Sequence, residues 1–203
     1  MGSFVVASPR VNASTRVCLR TYRVSTRLPS EVTVIEAALA ACAAPSMFAP
    51  VSSGSGYRKI EYIGAGLGAN NPVRELITEA HSLFGGDASV SCLLSLGTGN
   101  PGIIALPPEG GNLSLQALHN MMDDCEQRAQ EIDQQIGRLG IYFRFSVEQG
   151  MQNNRANMTV DPSWVMAQTM AYLEDHGIDE KIGMFVQNVT SSSGPVTLNQ
   201  LSM

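Results

Sequence analysis

Residues 58–96 read RKIEYIGAGLGANNPVRELITEAHSLFGGDASVSCLLSL. Arg58 to Ile63 alternates enough to be a strand, and it runs into the glycine-rich turn Gly64-Ala65-Gly66-Leu67-Gly68. Asn71 stands where a helix N-cap is expected and Pro72 at the first helical position: an Asn side chain accepts from a free backbone N–H, and proline has none to satisfy. Val73, Leu76, Ile77, Ala80 and Leu83 recur at steps that place them on one buried helix face, and Gly85-Gly86 ends the helix. Ser89 to Leu96 supplies Val90, Cys92, Leu93, Leu94 and Leu96, apolar enough for a strand covered on both faces, and it closes in Gly97-Thr98-Gly99. Strand, turn, helix and strand in this order predict a βαβ unit. The expected fold is therefore α/β, with parallel strands around Arg58–Ile63 and Ser89–Leu96.

Outward from this stretch, Ser3 to Ala7 and Arg16 to Tyr22 read as two strands paired in a hairpin. Thr33 followed by Glu36 is a capping box that starts a helix, which should stop before Pro45. Its run of alanines from Ala37 to Ala44 permits close approach of another backbone, from a sheet or a helix, although high helix propensity alone also accounts for it. From Leu115 to Leu139 apolar residues repeat every three or four positions, predicting a helix of about seven turns laid across its own domain. Ile141, Phe143, Phe145 and Val147 alternate with Tyr142, Arg144 and Ser146, a strand with one buried face. Asp161-Pro162 opens a further helix, and Ile178, Ile182, Phe185 and Val189 stripe the last. The Ser-rich tail from Ser191 is expected to be loose.

A chain of 203 residues with 44% apolar and 15% charged residues is long enough to bury a core as one domain, which excludes wholesale disorder and rods. Net charge is −5, but residues 1–60 carry seven basic against two acidic side chains, and the remainder six against sixteen. Arg16, Arg20, Arg23 and Arg27 suit a solvated face better than a phosphate or anionic-surface site. With a pI near 5.1 and no aromatic-basic interleaving, nucleic acid is excluded as a partner. The longest apolar run, Ala37 to Ala44, is too short to span a bilayer, and Met1 to Arg10 lacks the features of a signal peptide, so the expected location is cytoplasmic. Cysteines at 18, 42, 92 and 125 form no C-x-x-C pair, and His81, His119 and His176 show no metal-ligand spacing, so neither a metal nor a cofactor is expected.

Gly64 to Pro72 has the layout of a generic anion-binding turn. It matches neither the P-loop pattern nor G-x-G-x-x-G, and support for a nucleotide is weak. No serine has glycine two residues before and two after it, so the nucleophile elbow G-x-S-x-G is absent. Ser95 comes closest, with Gly97 after it but Leu93 before it.

Three motifs carry a family resemblance. Val34 to Phe48, VIEAALAACAAPSMF, resembles the helix of the patatin-like phospholipases that reads W-x-A-A-R-A-T-S-A-A-P-x-x-F. Tyr62 to Pro72 is similar to that family's D-G-G/A box with its trailing N-N-P, and Ser95-Leu96-Gly97-Thr98-Gly99 to its S-L-G-T-G strand end. Phe4-Val5-Val6-Ala7, Leu19 to Arg23 and Tyr142 to Phe145 with Glu148-Gln149-Gly150 resemble the fungal-type branch. The likeness extends from about Phe4 to Val189.

This resemblance implies a patatin-like three-layer sandwich, incomplete on its N-terminal side, with a partial domain over residues 1–190 and a loose tail over 191–203. It implies a lipid acyl hydrolase by descent, in which a Ser-Asp dyad and a glycine-rich oxyanion loop act on ester carbonyls. The family order places both the oxyanion loop and the nucleophile elbow ahead of residue 1. The dyad aspartate falls at Gly64 of the motif box Gly64, Ala65, Gly66, Asn70, Asn71 and Pro72, and glycine supplies no base. Glu61, three residues earlier on a strand, would face the opposite way. No catalytic residue is therefore expected, and the chain should be inactive alone, as a fragment or as a noncatalytic protein. The alternative is a noncatalytic lipid-surface or protein-interaction module. A lipid or membrane surface is the expected partner, and the missing strands should leave apolar surface and a sheet edge open to self-association.

Overall fold

The computed structural model describes residues 2–24, 32–45, 47–100, 125–149, 161–191 and 194–202. It is a mixed α/β chain divided into two compact units, Met1–Pro72 and Val73–Met203.

In the first unit the hairpin forms as expected: β1 (Phe4–Pro9) pairs antiparallel with β2 (Val17–Arg20), Val5 opposite Leu19. Helix α1 (Val34–Cys42) starts at the Thr33 capping box, where Thr33 Oγ1 accepts from the Glu36 amide at 3.2 Å and Glu36 Oε2 accepts from the Thr33 amide at 2.7 Å. β3 (Val51–Ser53) and β4 (Ile60–Gly64) complete a four-stranded sheet in the order β2-β1-β4-β3. Every pairing in it is antiparallel. This corrects the parallel unit expected around Arg58–Ile63, because both edges of β4 are taken: Ala7–Pro9 pairs with one and Val51–Ser53 with the other. α1 packs on this sheet, burying Ala40 with Ala7, Leu19 and Tyr62. Its opposite side leaves Val34, Ile35 and Leu39 exposed.

In the second unit the expected strand Ser89–Leu96 is two. β5 (Ser89–Val90) pairs antiparallel with β8 (Val196–Thr197), whereas β6 (Leu93–Leu96) pairs in parallel with β7 (Tyr142–Phe145). The chain changes partner at Ser91-Cys92. β6 is also buried on one face only, Leu93 and Ser95 facing inward while Leu96 is 72% exposed. β7 departs in the other direction. Phe143 and Phe145 meet the ring of Phe185 edge-on, and Tyr142 and Ser146 on the other side are buried as well.

After a single helical turn, α2 (Gly66–Ala69, in the first unit), helix α3 (Val73–Phe84) turns Val73, Ile77 and Ala80 to the second unit's core, while Leu76 is partly exposed. α4 (Cys125–Ile136) buries Ala129, Ile132 and Ile136 and tightens into a 3₁₀ turn, Gly137–Leu139, closed by Gly140 at a φ of 67°. The earlier part of the expected long helix, 115–124, lies outside the described residues. α5 (Pro162–Leu173) and α6 (His176–Thr190) are capped by Asp161 and Asp175, whose carboxylates accept from the Ser163 amide and from the Gly177 and Ile178 amides. Of the stripe expected on α6, Val189 is exposed.

The C-terminal residues are not a loose tail. β8 is followed by α7 (Leu198–Leu201), and Val196, Leu198 and Leu201 enter the core with Ile77, Leu93 and Ile141. Serines suggest a loose segment, but the apolar residues at 196, 198 and 201 govern.

Candidate functional site

The motif box lies at the end of β4, and its geometry leaves no room for a side chain at position 64. The Gly64 amide donates to the Ala43 carbonyl at 2.9 Å, and a Cβ built on Gly64 would stand 2.8 Å from the Ala41 carbonyl oxygen. The alanine-rich end of α1 therefore does admit a second backbone, and it comes from the sheet. Gly64 and Ala65 are buried, and Gly66 opens α2. Asn71 does not cap α3 as expected: the helix begins at Val73, Pro72 lies in the preceding turn, and neither Oδ1 nor Nδ2 of the buried Asn71 has a partner. Glu61 is ion-paired with Arg10 at 2.9 Å on the surface and offers no substitute base.

Ser95 is buried on β6, and its hydroxyl accepts from Arg144 Nη1 at 2.9 Å. A nucleophilic serine needs a neighbour that removes its proton, and a guanidinium is permanently protonated. The hydrogen bond thus identifies a strand-end serine that fixes Arg144. Arg144 also donates to Glu126 Oε1 at 2.5 Å and to Cys125 Sγ at 3.4 Å. Burial pulls its pKa down, but the hydrogen bond and charge of Glu126 outweigh this and hold the guanidinium above its ordinary value. Burial pushes the Cys125 thiol up, so it stays protonated at neutral pH.

Two cavities adjoin this cluster at the carboxyl ends of the parallel pair. That is where an open α/β sheet leaves room for ligands, because the strands end and the helices diverge. The larger is about 580 Å³, walled by Leu96, Phe145 and Val147 of the strand ends and by Trp164, Val165 and Leu173 of α5. The stretch Gly97-Thr98-Gly99 forms its rim, and pairing continues past the strands, with Gly97 and Asn100 donating to the Phe145 and Val147 carbonyls at 2.8 and 2.9 Å. The second, of about 430 Å³, is polar: Tyr142, Arg144 and Ser146 face Gln130 and Asp133 of α4. Asn100, Ser146 and Tyr172 belong to both, and burial pushes the Tyr172 hydroxyl pKa up. The sequence signal for this site was present in the alternation of Tyr142, Arg144 and Ser146. Alternation alone leaves these three on the unburied face of the strand, because a strand pattern does not say that a helix covers its polar face.

Among the described residues no group of histidine, cysteine and carboxylate side chains is arranged to hold a metal, and no helix is long and apolar enough to cross a membrane. No protein-family model, curated protein or solved structure matches this chain.

Proposed function

We propose that this chain is a noncatalytic amphiphile-binding protein, derived from the patatin-like lipid acyl hydrolases and folded on part of their three-layer sandwich. The motifs at Val34–Phe48, Tyr62–Pro72 and Ser95–Gly99 support the descent. The carrying observation is the cavity of about 580 Å³ beside Trp164, an apolar chamber of ligand size with no activated nucleophile against it among the described residues. A chamber of that lining takes a hydrocarbon chain by removing it from water. The exposed face of α1 supports a lipid surface as the source of the ligand.

Trp164 is the chain's sole tryptophan and tests the reading directly. Dibromostearate, whose bromines quench indole on contact, is expected to quench its fluorescence saturably, and Leu173→Asp to abolish the effect. The same protein should leave p-nitrophenyl esters at background hydrolysis. Absence of quenching up to the solubility limit of the probe ends this reading.

A second reading, self-association through a sheet edge, is favoured by one observation. β6 pairs with β7 alone among the described residues and exposes Leu94 and Leu96. Sedimentation of Leu94→Lys/Leu96→Lys beside the parent chain decides it: a parent dimer that becomes monomeric supports the edge, and an unchanged mass removes it.

A further inference from the structure

The polar recess holds an unusual set of atoms. Tyr142 Oη, Arg144 Nε and Ser146 Oγ are all buried and, among the described residues, all without a hydrogen-bond partner. Tyr142 and Ser146 each keep 9% of their surface, and the Arg144 side chain keeps 10%. The three alternate along one strand face, so they line one wall about 13 Å long at the usual rise of a strand. Buried polar groups are nearly always satisfied, because an unmade hydrogen bond forfeits the solvation that the group had in water. Three unsatisfied groups in a row, on side chains that line a cavity of about 430 Å³, point to a ligand that completes them.

The charges select its class. Glu126, Asp133 and Glu148 outnumber Arg144 and Lys181 around the recess. Both cations are already engaged: Arg144 with Glu126, and Lys181 with the Arg144 carbonyl at 2.8 Å and over the Phe145 ring at 5.5 Å. Among the described residues a phosphate or carboxylate would find carboxylates and no spare cation. The open sites ask instead for both hydrogen-bond roles: Arg144 Nε needs an acceptor, the carboxylate of Asp133 takes donors, and the Tyr142 and Ser146 hydroxyls serve either way. A row of hydroxyls on a neutral ligand provides both roles at every oxygen. We propose that the recess binds a neutral polyhydroxyl group, a sugar or polyol. Through the wall shared at Asn100, Ser146 and Tyr172, this group is the head of the amphiphile whose tail fills the apolar cavity. The last clause rests on the proposed function above, whereas the recess itself does not.

Isothermal titration of the full chain separates the two, using octyl glucoside, octyl phosphate, octanol and methyl glucoside below any micelle concentration. Octyl glucoside is expected to bind at least about tenfold more tightly than octyl phosphate or octanol, because a site built around hydroxyls rejects analogues that leave its groups unpaired. Tyr142→Phe should reduce octyl glucoside to the level of octanol and leave octanol unchanged, and Ser146→Ala should weaken the glucoside as well. They should also raise the melting temperature slightly, since each removes an unsatisfied buried hydroxyl; a merely structural role would lower it. Octyl phosphate binding as tightly as the glucoside, or glucoside binding indifferent to both variants, overturns the polyol site. Binding of methyl glucoside without octanol upholds it as a free-sugar site and discards the apolar-tail reading. Octanol binding without any preference for the glucoside does the reverse.

Discussion

Gly64 and Ala41 meet backbone to backbone: the space a Cβ would need on Gly64 lies 2.8 Å from the Ala41 carbonyl oxygen. Backbone on both sides of such a contact cannot swing away as a side chain end can. Gly64→Ala should therefore destabilise the first unit by about 1 to 3 kcal/mol, read as a lower urea midpoint. Gly64→Asp should cost more, since it adds a carboxylate to a buried site beside a carbonyl. An unchanged midpoint for Gly64→Ala would show that α1 and β4 separate freely.

The same contact bears on catalysis. An aspartate at 64, where the proposed descent would place one, supplies no serine and no oxyanion donors, so Gly64→Asp should leave ester hydrolysis at background. Ser95→Ala should also have no effect on that background, because the Ser95 hydroxyl is held by Arg144. Hydrolysis by the unmodified chain that disappears in Ser95→Ala would reveal a nucleophile.

Leu201 is fully buried although it stands two residues from the last position. Its side chain packs in the cluster of Ile132, Ile136 and Ile141, and Leu201→Ala should cost about 2 to 5 kcal/mol. Thermal unfolding monitored by circular dichroism measures this. A loss below about 0.5 kcal/mol, the range of ordinary surface substitutions, would return this segment to a loose tail.

Local signals in the chain were readable where one residue's chemistry suffices. Thr33 with Glu36, Asp161 with Pro162, and the β1–β2 hairpin all form as their residues require. Partnership across the chain was not readable. Arg58–Ile63 does contain a strand, but which strand takes its edges depends on Ala7–Pro9, more than fifty residues away. The polar site failed for a related reason. Alternation places Tyr142, Arg144 and Ser146 on one face, yet only the covering helix α4 makes that face an interior. Asn71 is a further case, since its residue type suits a cap and its side chain makes none.

The capping box should give the first unit an acid-sensitive start to α1. Thr33 hydrogen bonds, first from its amide and then from its hydroxyl, hold the Glu36 carboxyl below its ordinary value of 4.5. A folded pKa below the unfolded one means that the cap's contribution is complete above about pH 4.5 and fades as the pH falls through the lower folded value. Thr33→Ala should cost about 0.5 to 2 kcal/mol at neutral pH, and the gap to the parent chain should narrow in acid. Urea midpoints at neutral pH and near pH 3 test this, and a gap that widens in acid contradicts it.

Arg144 and Glu126 form the least exposed ion pair among those described, with side chains 10% and 22% exposed. Removing one partner from such a pair leaves the other charge desolvated, and that penalty exceeds the value of the pair itself. Glu126→Leu should therefore destabilise the second unit by about 3 kcal/mol, the low end for a buried pair because Glu126 retains some water. The double variant Glu126→Leu/Arg144→Met removes both charges and should recover much of that loss, although Ser95 loses its donor. The cycle separates the pair from its surroundings. A double variant whose loss equals the sum of the two single losses would mean that Arg144 is held by Ser95, Cys125 and packing, with Glu126 only a neighbour.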